Sequence, residues 1–253
     1  DLIDGTLYAI PKKDHRRVLT GVYFELGDNK LRLTATDGKK LSRINVDIPE
    51  IEGAETGKIV VPRKLLENLK NVLGGDDHVE VEMSEKQIVF RLGNMVYQCN
   101  GIVGKYPDCS SVIPKEFLAT TVPFNRDGFL QAARRASVVT DDKNKSIILK
   151  FDNNECTFKS MAHDLGTFSG RISLDYDGPT LELAFNYQFL IETLSRFTNP
   201  EIRMKVKSSS APAVFESDEE ENRLTLLMPI KLADARKPAP DGGGEQAEEE
   251  TGK

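Results

Sequence analysis

A chain of 253 residues, 39% of them hydrophobic, holds material for one large core or two ordinary ones. No stretch approaches the ~20 consecutive apolar residues of a membrane helix, and the start DLIDGTLYAI lacks the basic segment and long apolar run of a signal peptide, so a soluble, cytoplasmic protein with no membrane partner is expected. A net charge of -6 argues against nucleic acid coating the whole surface but leaves local patches open, and three cysteines without a CxxC pair (Cys99, Cys109, Cys156) exclude a disulfide framework and read as reduced structural thiols.

In chain order, Leu2 and Ile3 read as the interior of a helix. IPKKDHRRVL (10–19) then sets Lys12, Lys13, Arg16 and Arg17 against one acid, Asp14. Residues 19–48 read as strand, turn (Gly27-Asp28-Asn29), strand, turn (Asp37-Gly38), strand. From 61 to 92, Arg63 and Lys64 open a helix with apolar Leu65, Leu66, Leu69, Val72 and Leu73; Gly74-Gly75 stops it, and alternating strands follow. LATTVPFNRDGFLQAARRAS reads as a strand leading into a helix. Residues 145–176 repeat the three-strand plan around Asp152-Asn153-Asn154, and 185–217 repeat the helix (Phe189, Leu190, Leu194, Phe197) with its strands. RLTLLMPIKL (223–232) reads as an apolar edge strand closed by Pro229. Beyond it, Ala233 to Lys253 are Pro-, Gly- and Glu-rich and too poor in apolar groups to offset ordering entropy.

These segments recur at an offset of about 125 residues, so the chain is two copies of one unit. The expected fold class is α+β, each unit placing two helices on one face of antiparallel sheets. The expected division is 1–116, 117–232 and a disordered acidic tail over 233–253. Leu2-Ile3 are the counterparts of Phe129-Leu130, so the first copy lacks the strand and helix start that open the second. A fragment of a longer protein is the expectation.

No catalytic, metal or cofactor site is expected. His15, His78 and His163 sit in unrelated contexts, and HExxH, GxSxG, GxxxxGK[ST] and GxGxxG are absent. Asp76 and Asp77 beside His78 leave a metal-dependent nucleic-acid hydrolase as the alternative from another class, although acids after a Gly-Gly stop ordinarily solvate a turn. Basic residues recur at equivalent positions: Lys12, Lys13 and Arg16 after the first helix, Arg63 and Lys64 opening the second, Arg134, Arg135, Lys143 and Lys145 in the other copy. A surface built that way suits sequence-blind contact with phosphates, and without Trp or a Phe/Tyr stripe duplex DNA is favoured over single strands.

TATDGKKL (34–41), IVVPRKLLENL (59–69), GKYPDCSSVIP (104–114), LAFNYQFLIETL (183–194) and LLMPIKL (226–232), in this order, resemble the bacterial DNA polymerase III beta subunit, a family of sliding clamps, over Leu2 to Leu232. The likeness is to the second and third of the family's three domains. It implies a head-to-tail homodimer ring once the first domain is present, with helices facing duplex DNA and sheets outside. Such a ring catalyses nothing. It acts as a processivity factor that tethers polymerase, clamp loader and repair proteins through short peptides.

From the recurring basic clusters, DNA contacts are expected at Lys12, Lys13, Arg16, Arg63, Lys64, Arg134 and Lys145, while the peptide subsites are carried over from the family position by position. A first peptide subsite maps to Leu19, Thr36, Gly38, Lys39, Lys40, Leu41, Pro107 and Val112 with Leu226, Met228 and Leu232. A second maps to Asn186, Phe189, Pro212, Leu227, Pro229, Ile230 and Lys231. The chain departs from the family pattern at Lys39-Lys40, where His-Arg is common, at Cys109-Ser110-Ser111, where an aromatic and arginines are common, and at Asn144, in place of a loop aromatic. A scaffold that forms no ring is the remaining alternative.

Overall fold

Asparagine and glycine set the turns that divide the chain into strands. Asn29, Asn153 and Asn154 take positive φ (54°, 48° and 58°), a region their short polar side chains tolerate, and Gly38 does so at 85°. The computed structural model describes residues 2–27, 29–49, 56–74, 78–114, 120–140, 144–162 and 164–236. The first unit comprises α1 (Leu2–Leu7), β1 (Gly21–Gly27), β2 (Lys30–Thr36), β3 (Lys40–Asp47), β4 (Gly57–Pro62), α2 (Arg63–Val72), β5 (Glu80–Met83), β6 (Gln87–Leu92) and β7 (Met95–Asn100). The second comprises β8 (Thr120–Asn125), α3 (Arg126–Ser137), β9 (Ser146–Asp152), β10 (Glu155–Ala162), β11 (Gly166–Ser173), β12 (Leu181–Asn186), α4 (Tyr187–Leu194), β13 (Glu201–Val206), β14 (Ala213–Glu216), β15 (Arg223–Leu227) and α5 (Leu232–Ala235).

The repeat is therefore real in space. In each unit the two main helices pack on each other, α1 on α2 and α3 on α4. Asparagines cap α3 and α4: Asn125 accepts from the Gly128 N–H at 3.0 Å, and Asn186 from the Gln188 and Phe189 N–H groups at 2.9 and 3.4 Å. The second core centres on Phe129, fully buried, whose ring lies 4.2 Å from Phe124 and 4.8 Å from Phe158. The first gathers Val22, Phe24, Leu33, Val61, Leu66, Leu69 and Phe90.

Two expectations are corrected. The stretch 223–227 is not an edge strand. An eight-stranded antiparallel sheet runs β4-β1-β2-β3-β15-β14-β13-β8, so β15 is interior and fuses the two units through β3. Both faces of that seam are covered: Leu227 enters the core of the second unit, and Leu226 enters a third cluster with Leu19, Leu41, Tyr106 and Cys109. A strand buried on both faces needs no polar alternation, which accounts for the greasy sequence. The prolines instead sit where they cost no ladder hydrogen bond, Pro123 on the edge strand β8 and Pro229 beyond the end of β15.

The tail does not begin at Ala233. Residues 232–235 form α5 against β9 and β12, with Ala235 only 4% exposed. Ser146 Oγ donates to the Ala235 carbonyl at 3.3 Å, and Arg236 pairs with Glu182 at 2.5 Å. Alanines let the short helix lie flat on the sheet, a packing that composition does not reveal. The rest of the expected tail, 237–253, lies outside the described residues.

Candidate functional site

At the seam, the two units enclose an apolar cavity of about 150 Å³. Leu19, Leu41 and Leu226, each at most 2% exposed, line it from the 3-10 turn before β1, from β3 and from β15. Its exposed large apolar residues are Val112 and Met228, 46% and 37% exposed, and Pro107 of the loop lines it as well.

One side of the cavity is the turn Thr36-Asp37-Gly38-Lys39-Lys40. Asp37 Oδ1 accepts from the Lys39 and Lys40 N–H groups at 2.8 Å each, while Thr36 Oγ1 accepts from the Gly38 N–H at 3.0 Å and donates to the Lys40 carbonyl at 2.8 Å. The Met228 N–H then donates to the Lys39 carbonyl at 2.8 Å, tying the second unit to this turn. Of the first expected subsite, every residue but Leu232 borders this cavity. Leu232 opens α5 instead, a correction that follows from the helical turn after Lys231.

Lys40 borders the cavity, but its ammonium is committed elsewhere. It is 5% exposed, meets Glu192 of α4 at 2.5 Å, and lies 4.6 Å above the Phe189 ring and 5.5 Å from that of Tyr8. The charge expected to face a peptide is thus a junction contact between units, held by a carboxylate and two ring faces.

None of the residues of the second expected subsite borders this cavity. Leu227 is fully buried in the core of the second unit, because alternation along β15 turns it away from the side that Leu226 and the cavity share. Asn186 spends its side-chain oxygen capping α4. Ile230 pairs with Ala184 through its N–H at 2.7 Å, leaving Pro212, Pro229 and Ile230 half-buried and Lys231 exposed nearby in sequence but outside the cavity.

The structure adds three residues that sequence patterns did not place in the site: Arg16, Asp108 and Cys109. Arg16 was expected on DNA. Its guanidinium grips Asp14 through two bonds of 3.0 and 2.8 Å and reaches the Asp37 carbonyl at 3.5 Å, which holds the Asp14 carboxyl well below the usual carboxylate range. Its spacing of three from Leu19 was the available signal. Asp108 accepts from the Ser110 N–H at 2.9 Å, shaping the turn that presents Val112, and burial pushes the Cys109 thiol up.

Other basic residues divide by element. Lys12 and Lys13 are exposed in the loop after α1, Lys64 on α2, and Arg134 with Arg135 on α3. Arg63 pairs with Glu67 one turn on, at 2.7 Å. Lys145 is half-buried, its carbonyl accepting from the Tyr187 N–H at 2.9 Å. Between Tyr187 and Leu194, α4 carries no lysine or arginine, so the basic face is uneven. Lys143, Asp76, Asp77 and His163 lie outside the described residues. Among the described residues no cluster of three His, Cys, Asp or Glu is placed to hold a metal, and no helix is long and apolar enough to cross a membrane.

Tandem α+β units with paired helices on one side and a sheet continued across the seam define the DNA-clamp class of fold. The central-domain model of the DNA polymerase III beta subunit matches residues 1–108 and the C-terminal-domain model residues 110–231, and the chain belongs to this family. It is 28% identical over 233 residues to a beta sliding clamp of Synechococcus elongatus, covering 90% of this chain and 62% of that one. To a beta sliding clamp of Pseudomonas putida it is 26% identical, covering 91% and 63%. The crystal structure of the Bacillus subtilis sliding clamp superposes with a TM-score of 0.85 at 26% identity, covering 91% of this chain and 61% of that one. That of the Bartonella birtlesii clamp bound to griselimycin does so at 0.84 and 27%, covering 91% and 63%. The chain thus spans 62–63% of the length of these curated relatives.

Proposed function

We propose that this chain is the peptide-docking portion of a sliding clamp, a non-catalytic cytoplasmic processivity factor that holds duplex DNA and tethers polymerase and other DNA-processing proteins. The observation that carries this reading is the apolar cavity at the seam: two units build it jointly from the turn at Gly38 and the residues around Met228. Leucine walls with a few polar groups at the rim suit the anchors of an extended peptide. The Bartonella birtlesii relative, solved with griselimycin bound, supports a ligand-binding surface within the family.

Ring assembly is supported by the edges. Shifted by the repeat offset, β3 corresponds to β11 and β7 to β15. Since β3 and β15 pair at the seam while β7 and β11 end their sheets, each unit carries one free copy of the same complementary edge. Such head-to-tail edges close into rings, here as a homodimer of chains with a further unit each. Tethering in that form raises a partner's effective concentration at the template without new contacts to it.

The test is fluorescence polarisation with a labelled pentapeptide containing glutamine and aliphatic or aromatic anchors. Binding that Met228→Ala weakens about tenfold or more, the scale of one buried anchor of 1.5–3 kcal/mol, is expected. No saturable binding, or affinity untouched by Met228→Ala, would count against the groove. Mg²⁺- or Mn²⁺-dependent cleavage of nucleic acid, abolished in Asp77→Ala, would favour the hydrolase reading instead.

A further inference from the structure

A second and larger cavity, about 1110 Å³, adjoins the groove. Its floor is the face of β1–β3 carrying Tyr23, Arg32 and Arg43, and its roof is the loop 101–110. Pro107, Asp108 and Cys109 line both cavities, so a chain lying in one reaches the other across a single short segment. The loop is held in place rather than draped: the Ile102 N–H donates to the Val60 carbonyl at 2.9 Å, and Tyr106 stacks on Tyr23 with ring centroids 4.8 Å apart and planes within 8°. A Cβ on Gly101 would come within 2.5 Å of Ile59, so the close approach there requires glycine.

The cavity's charge is unbalanced, with five lysines and arginines against three carboxylates. Glu25 is shared between Arg32 at 3.8 Å and Lys58 at 3.6 Å. Asp108 is engaged by the Ser110 N–H. Lys86 and Lys105 have no ion pair among the described residues either but are exposed, and Arg43 differs from them in its burial. It is half-buried, its Nε donates to the Thr34 hydroxyl at 3.3 Å, and among the described residues no carboxylate stands within ion-pair distance of it. Burial and the neighbouring Arg32 both pull its pKa below the ordinary arginine value, although such a group stays charged. Glu25 and Asp108 act on this guanidinium only from beyond contact distance, and a partly desolvated guanidinium with no carboxylate in direct contact suits a bidentate carboxylate arriving from outside.

We propose that this cavity receives a carboxylate-bearing side chain next to the apolar motif of a docked partner peptide, with Arg43 as its counter-ion. The inference rests on the reading of the adjoining groove as a peptide site. Contiguity and charge both point to that occupant rather than to DNA phosphate. No residue of α1–α4 lines the cavity, whereas exposed Lys64, Arg134 and Arg135 lie on α2 and α3.

The experiment compares end-capped labelled peptides on the unaltered chain: the apolar pentapeptide, and versions extended at either end by three residues bearing Asp and Glu or their amides Asn and Gln. One acidic extension is expected to bind roughly three- to tenfold tighter than its amide twin, the scale of a partly solvated charge-assisted pair. That gain is expected to vanish in Arg43→Gln, to persist in part in Arg43→Lys, and to shrink as salt rises, with the pentapeptide's own affinity unchanged. Equal affinity of acidic and amide peptides at both ends overturns the proposal, and this comparison needs no variant to fold. A gain undiminished in a folded Arg43→Gln overturns it as well. Failure of the pentapeptide itself to bind is a separate result: it removes the groove reading, and this inference with it.

Discussion

Two adjacent residues, Leu227 at the end of β15 and Met228 just beyond it, carry opposite consequences at the seam. Leu227 is fully buried in a core that continues to Phe215 and Phe185, whereas Met228 is 37% exposed at the groove. Leu227→Ala should therefore cost about 2–5 kcal/mol of stability, the range for truncating a buried leucine, and lower the melting temperature. Met228→Ala should leave the melting temperature nearly unchanged while peptide affinity falls. Differential scanning fluorimetry beside polarisation separates the two, and equal melting temperatures would contradict the burial. Glu220 offers a pH handle on stability. Burial raises its pKa, but N–H donors of Asn199 and Thr198, the Thr198 hydroxyl and Arg223 outweigh that and hold it below its ordinary 4.5. A carboxyl depressed in the folded state contributes stability above its unfolded pKa and loses it as pH falls through the folded one. Glu220→Gln should thus melt lower than the unaltered chain at pH 7, and the deficit should close as pH drops below 4.5; a deficit independent of pH would show that only hydrogen bonding had been removed.

At the scale of elements, the short α5 is the feature that composition hid. Its hold depends on one buried alanine, on Ser146 and on the Arg236–Glu182 pair. Ala235→Glu places a charge where only a methyl fits, a cost of several kcal/mol that the helix avoids by detaching. Faster tryptic cleavage after Arg236, with little change in global melting, is the expected result. Unaltered cleavage would mean that α5 is not anchored at Ala235. Helices α2 and α3 differ from α4 in the same practical sense, since their exposed basic residues stand on faces that α4 matches only with Glu192 and neutral side chains.

Over the whole molecule, those helix faces and the seam have separable roles under the proposed function. Replacing Lys64 and Arg134 by glutamine should reduce the dependence of log K on log salt for duplex DNA by about two, one for each phosphate no longer neutralised, without changing sequence preference. Arg16→Gln should leave that slope unaltered, because its guanidinium is already gripped by Asp14. A slope that responds to Arg16 but not to Lys64 would reverse the assignment of faces. The eight-stranded sheet makes the two units one body at the β3–β15 seam, and Lys40 with Glu192, Phe189 and Tyr8 reinforces it from the helix side.

The sequence by itself determined whatever is local or periodic. Alternating strands, leucines at helical spacing, Asn and Gly turns, and the recurrence of all three at one offset specify two α+β units, because each depends on neighbours within a few residues or on simple repetition. The residues bordering the groove came from the resemblance to the family and not from local pattern, which by itself read Thr36 to Leu41 only as a hairpin turn. Only the tertiary structure decided which face of β15 meets which core, and so that Leu226 lines the groove while Leu227 does not. It alone placed Arg16 at the groove, Lys40 in the junction and Arg43 beside Arg32, since ion pairs and desolvation depend on segments far apart in the chain. A strand's alternation states that its two faces differ; what covers each face is set by the partner strand, and that partner comes from the other unit.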